Sequence, residues 1–293
     1  MTGKTTTGLS PDEYRMDLGG AVIAVHCEPA EFAVGLGNWF GRPSTLATPH
    51  IRLDLELVPH ADVPELPNSL ITTKSLHADG SFDIADGLIT GHFDPVSARG
   101  SIQAKGTLIR GPLMRILEQI FYQAFWSARQ IAGLDAFLVH SSAVIAGGQG
   151  FLFVGPSEAG KSTVANLSSA HHVLGDEMNL VRNTGDGLVV VGTLFNGLFK
   201  NKQPGEAPLA AVFLLKQAPH HALTRAPLLE SVTALAAEMV PPVGLNEIAT
   251  RETLPRMMEQ AETLATKTSL KYLEFLPDEG FWPVIAAEYG LDT

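Results

Sequence analysis

The stretch Gly155–Leu167, "GPSEAGKSTVANL", constrains the fold more than any other part of the chain. Gly155, Gly160, Lys161 and Ser162 stand at the GxxxxGK[ST] (Walker A) spacing, which functions only as a loop that leaves a buried strand and opens a helix. The apolar "GFLFV" before it and the helix-compatible "KSTVANLSSA" after it supply that setting. Small residues there let backbone N–H groups wrap phosphate oxygens. The segment Gly155, Pro156, Ser157, Glu158, Ala159, Gly160, Lys161, Ser162 and Thr163 is therefore the candidate cradle for a nucleoside triphosphate. Lys161 would reach the β- and γ-phosphates, and Ser162 would ligate Mg²⁺.

What precedes the loop predicts an antiparallel hairpin. The uncharged run Ala136–Ser157 is interrupted by Gly147, Gly148, Gln149 and Gly150, so it reads as two buried strands and a turn and not as a membrane span. A turn at Gly148–Gln149 sets His140 opposite Ser157, and a turn one residue earlier sets it opposite Gly155. Either way His140 borders the loop, where it could hydrogen-bond Asp176 or the γ-phosphate.

Asp176 and Glu177 follow "HHVL" after enough chain for a short helix, a turn and one strand, which returns both carboxylates to the loop. Adjacent acids there can divide two tasks, one holding Mg²⁺ and the other taking a proton from an attacking hydroxyl. Further on, "NGLFKNKQPGEAP" offers Lys200 and Lys202 as a clamp for phosphate or an acidic acceptor. Arg225 ranks below them. The pairs His171–His172 and His220–His221 lack metal-ligand spacing, because adjacent side chains on a strand point apart.

The remainder divides by pattern. Residues 1–11 read as a polar tail without the apolar core of a signal peptide, and 12–108 as a β-rich N-terminal domain of short segments such as "AVIAVHC" and "IRLDLELV". Residues 109–133 predict a bridging helix that ends at Gly133, and 134–293 a nucleotide-binding domain. "EFAVGLGNWFG" fits either a short helix or a loop around a buried Trp39 and Phe40. Because a hairpin precedes the loop, an acid pair follows one strand later and a second hairpin comes after that, the fold class is α/β of the α+β kind. Its sheet is mixed and largely antiparallel, unlike the βαβ plan of parallel P-loop NTPases.

With 31 acidic against 20 basic residues, the formal net charge of −11 disfavours nucleic acid and anionic membrane as partners. The single cysteine, Cys27, fits a reducing, cytoplasmic setting. Self-association into a homo-oligomer is compatible with these features.

"HSSAV" before a Gly-rich turn, "GPSEAGKST" and then "VLGDEMNLV" together resemble the HPr kinase/phosphorylase-like catalytic domain, whose fold is shared with phosphoenolpyruvate carboxykinases. The similarity is clearest over Ala136–Arg182 and looser through "GTLFNGLFKN", "APLAAVFLLKQAP" and "LKYLEFLPDEGFW". It implies ATP·Mg²⁺-dependent phosphorylation of a hydroxyl on a peptide, protein or small-molecule acceptor. The implied roles are triphosphate on Gly155–Thr163, Ser162 and Glu177 on the metal side, Asp176 as base and His140 beside it. The family usually has two aspartates where this chain has Asp176 and Glu177. No Leu-Glu-x-Arg-Gly-type segment is found, which points away from HPr as acceptor. The competing readings are an ATP-binding accessory or regulatory protein that transfers nothing, and a P-loop NTPase.

Overall fold

The structure is a computed structural model and describes residues 8–41, 45–58, 73–77, 81–85, 89–105, 111–239 and 247–291. The chain forms two compact units, Met1–Leu134 with Pro242–Arg251, and Asp135–Pro241 with Glu252–Thr293.

The first unit contains β1 (Glu13–Leu18), β2 (Ala21–Glu28), α1 (Glu31–Phe40), β3 (Ile51–Val58), β4 (Thr73–Leu76), β5 (Phe82–Ala85), β6 (Ile89–Asp94), β7 (Arg99–Lys105) and α2 (Gly111–Ile131). Among the described residues its sheet has seven strands in the order β1-β2-β3-β7-β6-β5-β4. Alternation decides the faces. In β3, Ile51, Leu53 and Leu55 are buried while Arg52, Asp54 and Glu56 face solvent. Helix α1 packs on β1 and β2, and α2 on β2 and β3. The two helices meet through the Phe40 and Phe121 rings, edge to face at 5.4 Å. "EFAVGLGNWF" is thus a helix, with Phe40 buried and Trp39 only half-buried.

On the other face, the pairing aligns His26, Asp54, Ser101, His92 and Asp83 in one row across five strands. A cleft of about 420 Å³ lies over part of that row. Strands β5 and β6 pair antiparallel, as do β4 and β5.

The second unit runs β8 (Ala136–Ala146), β9 (Gln149–Val154), α3 (Lys161–Leu167), β10 (His172–Gly175), β11 (Met178–Asn183), β12 (Leu188–Val191), β13 (Glu206–Gln217), β14 (Ala222–Arg225), α4 (Leu228–Ala237), α5 (Glu247–Lys267, from Glu252 on in this unit), β15 (Ser269–Phe275) and α6 (Phe281–Tyr289). Its eight strands make six antiparallel and two parallel pairings, so the unit is α+β with a mixed, largely antiparallel sheet. Strand β9 sits centrally, antiparallel to β8 and parallel to β13.

Central strands buried on both faces read as continuous apolar runs. Leu152 and Val154 of β9, with Val212 and Leu214 of β13, join Val232, Leu235, Ala261 and Leu264 of α4 and α5 in one core. Phe151, Phe153 and Phe213 join Val164, Phe281, Trp282 and Ile285 of α3 and α6 in a second core on the opposite face. Helix α4 starts at Pro227 without a side-chain cap, and Ser231 Oγ donates back to the Pro227 carbonyl at 2.7 Å. Among the described residues, no helix is long and apolar enough to cross a membrane.

Candidate functional site

The β8–β9 hairpin turns on Gly147 and Gly148, both at positive φ (55° and 75°), which suits a two-residue hairpin turn. Ala146 then pairs with Gln149 and Ser141 with Val154. Of the two registers considered, this is the one that brings His140 alongside Gly155, one residue beyond the last pair.

The chain leaves β9 at Val154 and enters α3 at Lys161, so the GxxxxGKS segment occupies the strand-to-helix loop that its chemistry requires. Two residues there take left-handed backbone, Glu158 (φ 68°) and Gly160 (φ 108°). Glu158 carries the strain of a Cβ in that region, and its carbonyl is held by Gln217 Nε2 at 2.9 Å. Both glycines of the motif lack room for a side chain. A Cβ on Gly155 would lie 2.8 Å from the Ala159 Cβ, and one on Gly160 would lie 2.8 Å from Phe275 Cζ. Lys161 is folded into its own loop, its ammonium donating to Gly155 O at 2.5 Å and Pro156 O at 3.2 Å. Ser162 and Thr163 are half-buried at the start of α3, where the first helical N–H groups have no partner within the helix.

Strands β10 and β11 run along the same edge of β8 as one interrupted strand, broken at Asp176–Glu177 with a register shift between Val173 and Gly175. The Ser141 N–H bonds Glu177 O at 3.0 Å, which places Glu177 opposite Ser141 and Asp176 opposite Ser142. Ser142 Oγ in turn donates to the Lys161 carbonyl at 2.5 Å. The acid pair therefore lies two strand spacings, about 10 Å of backbone, from the start of the loop.

Asp176 is 3% exposed. Its Oδ2 accepts the Leu198 and Phe199 N–H groups at 3.1 and 3.0 Å, while its Oδ1 is buried without a partner among the described residues. Gly197 closes over it, because a Cβ there would stand 2.1 Å from Oδ1. Lys200 and Lys202, expected as a clamp, instead donate to the Gly197 and Phe195 carbonyls at 2.9 and 2.7 Å. Their ammoniums and the Asp176 carboxylate thus fasten one loop from its two polarities.

His140 does not bond Asp176. Its Nδ1 lies 2.9 Å from Glu238 Oε2, and the same oxygen is 3.7 Å from Lys161 Nζ. Glu238 is the C-cap of α4, and its carbonyl also accepts the His140 N–H at 2.8 Å. Sequence reasoning missed this residue, since "LAAEMVPP" reads only as a helix end. The paired histidines lie away from this loop: His171 rests on Trp282 at 4.1 Å between ring centres, and burial there lowers its pKa. His172 bonds Pro204 O, His220 bonds Glu274, and His221 bonds Asp278. Arg225 ends β14 exposed to solvent.

Among the described residues, no three His, Cys, Asp or Glu gather closely enough to hold a metal ion unaided. A divalent ion at this site would have to share its ligands with phosphate oxygens, the usual habit of Mg²⁺. No protein-family model matches the chain, and no curated protein matches it.

Proposed function

We propose that the chain is an ATP-dependent phosphotransferase that phosphorylates a hydroxyl of a peptide, protein or small-molecule acceptor. The observation that carries this reading is the β9–α3 loop, with its two space-limited glycines and its inturned Lys161, set two strands from an acid pair. Bound triphosphate would replace the Gly155 and Pro156 carbonyls as partners of the Lys161 ammonium, and the loop N–H groups would hold its oxygens.

Ser162 and Glu177, together with phosphate oxygens, would hold Mg²⁺, and the unpaired Oδ1 of Asp176 would join them only with the Phe195–Phe199 loop lifted from it. When bound, the ion would offset charge on the β- and γ-phosphates. The HPr kinase-like resemblance of "HSSAV", "GPSEAGKST" and "VLGDEMNLV" supports the same reaction class, and the β-rich first unit would help choose the acceptor. A cytoplasmic setting would supply both ATP and the reducing conditions that one unpaired cysteine fits.

The enclosure of Asp176 favours one rival, an ATP-binding regulatory protein without transfer. Labelled γ-phosphate from ATP·Mg²⁺ separates the two when offered to a panel of peptides and hydroxylated metabolites. The kinase passes label to an acceptor and loses this in Lys161→Ala, whereas tight ATP binding without transfer to any acceptor supports the regulatory protein.

A further inference from the structure

We infer that the loop joining β12 to β13 is an autoinhibitory cap. Closed, it keeps the Asp176 carboxylate off a nucleotide-bound divalent ion, and the acid reaches that ion only when the loop tip lifts. The inference rests on the triphosphate site proposed above.

The loop is built as a flap on a fixed base. It leaves and rejoins the sheet at Gly192 and Gly205, where the Gly192 N–H donates to the Gly205 carbonyl at 2.9 Å. Compact loops whose ends are held together in this way are frequently functional. Two more contacts tie down the base: the Gln203 N–H donates to Val173 O at 2.8 Å, and His172 Nε2 lies 3.0 Å from Pro204 O. Phe195 and Phe199 are buried, whereas Leu198 between them is 75% exposed.

The tip is fastened by Asp176 itself. Its Oδ2 accepts the Leu198 and Phe199 N–H groups, and the Lys200 ammonium keeps the tip curled by donating to Gly197 O. The other oxygen, Oδ1, is covered by Gly197, and no donor among the described residues reaches it. Buried polar atoms nearly always have partners, and an orphaned one is costly. A hard divalent cation takes such carboxylate oxygens.

The orphaned oxygen also lies near the place where that cation would sit. Asp176 stands opposite Ser142, whose Oγ donates to the Lys161 carbonyl, one residue before Ser162 in the first turn of α3. Fastening the loop and binding an ion are therefore exclusive tasks for one carboxylate. While the loop is closed, the half-buried Glu177 is the only acid of the pair left to the ion.

Binding of Mn²⁺ to the full chain at saturating AMP-PNP, read by electron paramagnetic resonance, tests the cap without turnover. Hydrogen exchange at the Leu198 and Phe199 amides reports whether the tip is open. Asp176→Asn alone should change Mn²⁺ affinity less than threefold, because the loop hides this side chain and the asparagine oxygen still accepts both N–H groups. Gly197→Ala should expose both amides and tighten Mn²⁺ by about tenfold or more, since even groups that only support a metal ligand move affinity by about 10–100-fold. Adding Asp176→Asn to Gly197→Ala should return the affinity to within threefold of wild type. Lys200→Met leaves the Gly197 packing in place and should expose the amides and tighten Mn²⁺ by at least about threefold, which carries the test if Gly197→Ala does not fold.

A loss beyond threefold in Asp176→Asn alone overturns the cap, because the acid is then already on the ion. Amides that stay protected in every folded variant, or exposed amides with unchanged Mn²⁺ affinity, overturn it as well and leave the triphosphate site standing. A wild type that binds no AMP-PNP overturns the triphosphate site and the cap with it.

Discussion

Replacing Gly197 by Ala tests how Asp176 is held. Gly197 lies outside the left-handed region, so alanine can adopt its backbone, and the effect is steric. The new Cβ would stand 2.1 Å from Asp176 Oδ1 and 2.6 Å from Cγ, against ordinary contacts of 3.4–4 Å. Asp176 is buried, so the Phe195–Phe199 loop must lift and give up the Leu198 and Phe199 hydrogen bonds to Oδ2. Bonds to a charged acceptor are worth about 1.5–3 kcal/mol each. Partial relaxation leaves an expected loss of about 2–5 kcal/mol, in the range of overpacking a filled site and breaking its bonds.

The prediction becomes sharp as a cycle with Asp176→Ala. In that background the obstructing carboxylate is gone, and Gly197→Ala should cost less than about 1 kcal/mol, because alanine also restricts the unfolded chain. The coupling should exceed about 1 kcal/mol, well beyond the 0.3–0.5 kcal/mol scatter of roughly independent sites. Since the chain has two units, one global unfolding curve is a poor measure. Native-state hydrogen exchange of β9 amides reports the second unit alone, and the Leu198 and Phe199 amides report the loop. Equal costs of Gly197→Ala in the two backgrounds would refute the proposed fastening.

Gly160→Ala forces a side chain into left-handed backbone and against Phe275 Cζ. It should destabilise the second unit by about 1–3 kcal/mol and reduce the thermal shift given by Mg·AMP-PNP; an unchanged shift argues against this loop as the ligand site. Burial, with a smaller contribution from the Asp12 carboxylate, pushes the Cys27 thiol up to about 12, so disulfide exchange with an aromatic reagent at pH 8 should occur only on unfolding. Because the folded pKa lies above the unfolded value near 8.5, this thiol's contribution to stability is complete below that value. It is lost at about 1.4 kcal/mol per pH unit between the two pKa values, and Cys27→Ala should remove that part of the alkaline slope in urea titrations of the first unit.

The strand-to-helix setting of the loop was legible because the motif, its apolar lead-in and its helix are contiguous. Gly147 and Gly148 decided the hairpin register by a backbone requirement that sequence narrowed to two choices. The edge strands β1 and β4 went unseen. Strand β1 alternates Tyr14, Met16 and Leu18 inward, but over six residues beside a polar tail the pattern is weak. Glu238 was hidden for another reason. Its role depends on α4 returning its C-terminus to β8, a long-range contact with no local signature. The lysines of "NGLFKNKQPGEAP" were visible as charges, but their partners are carbonyls of their own loop, which only the folded path reveals.

The most direct measurement is an amide and histidine chemical-shift map of the full chain titrated with Mg·AMP-PNP. Large shifts confined to Gly155–Thr163 and His140, abolished by Lys161→Ala, are the predicted result. Saturable binding that leaves those signals unmoved, or no binding at all, would contradict a triphosphate seated on this loop.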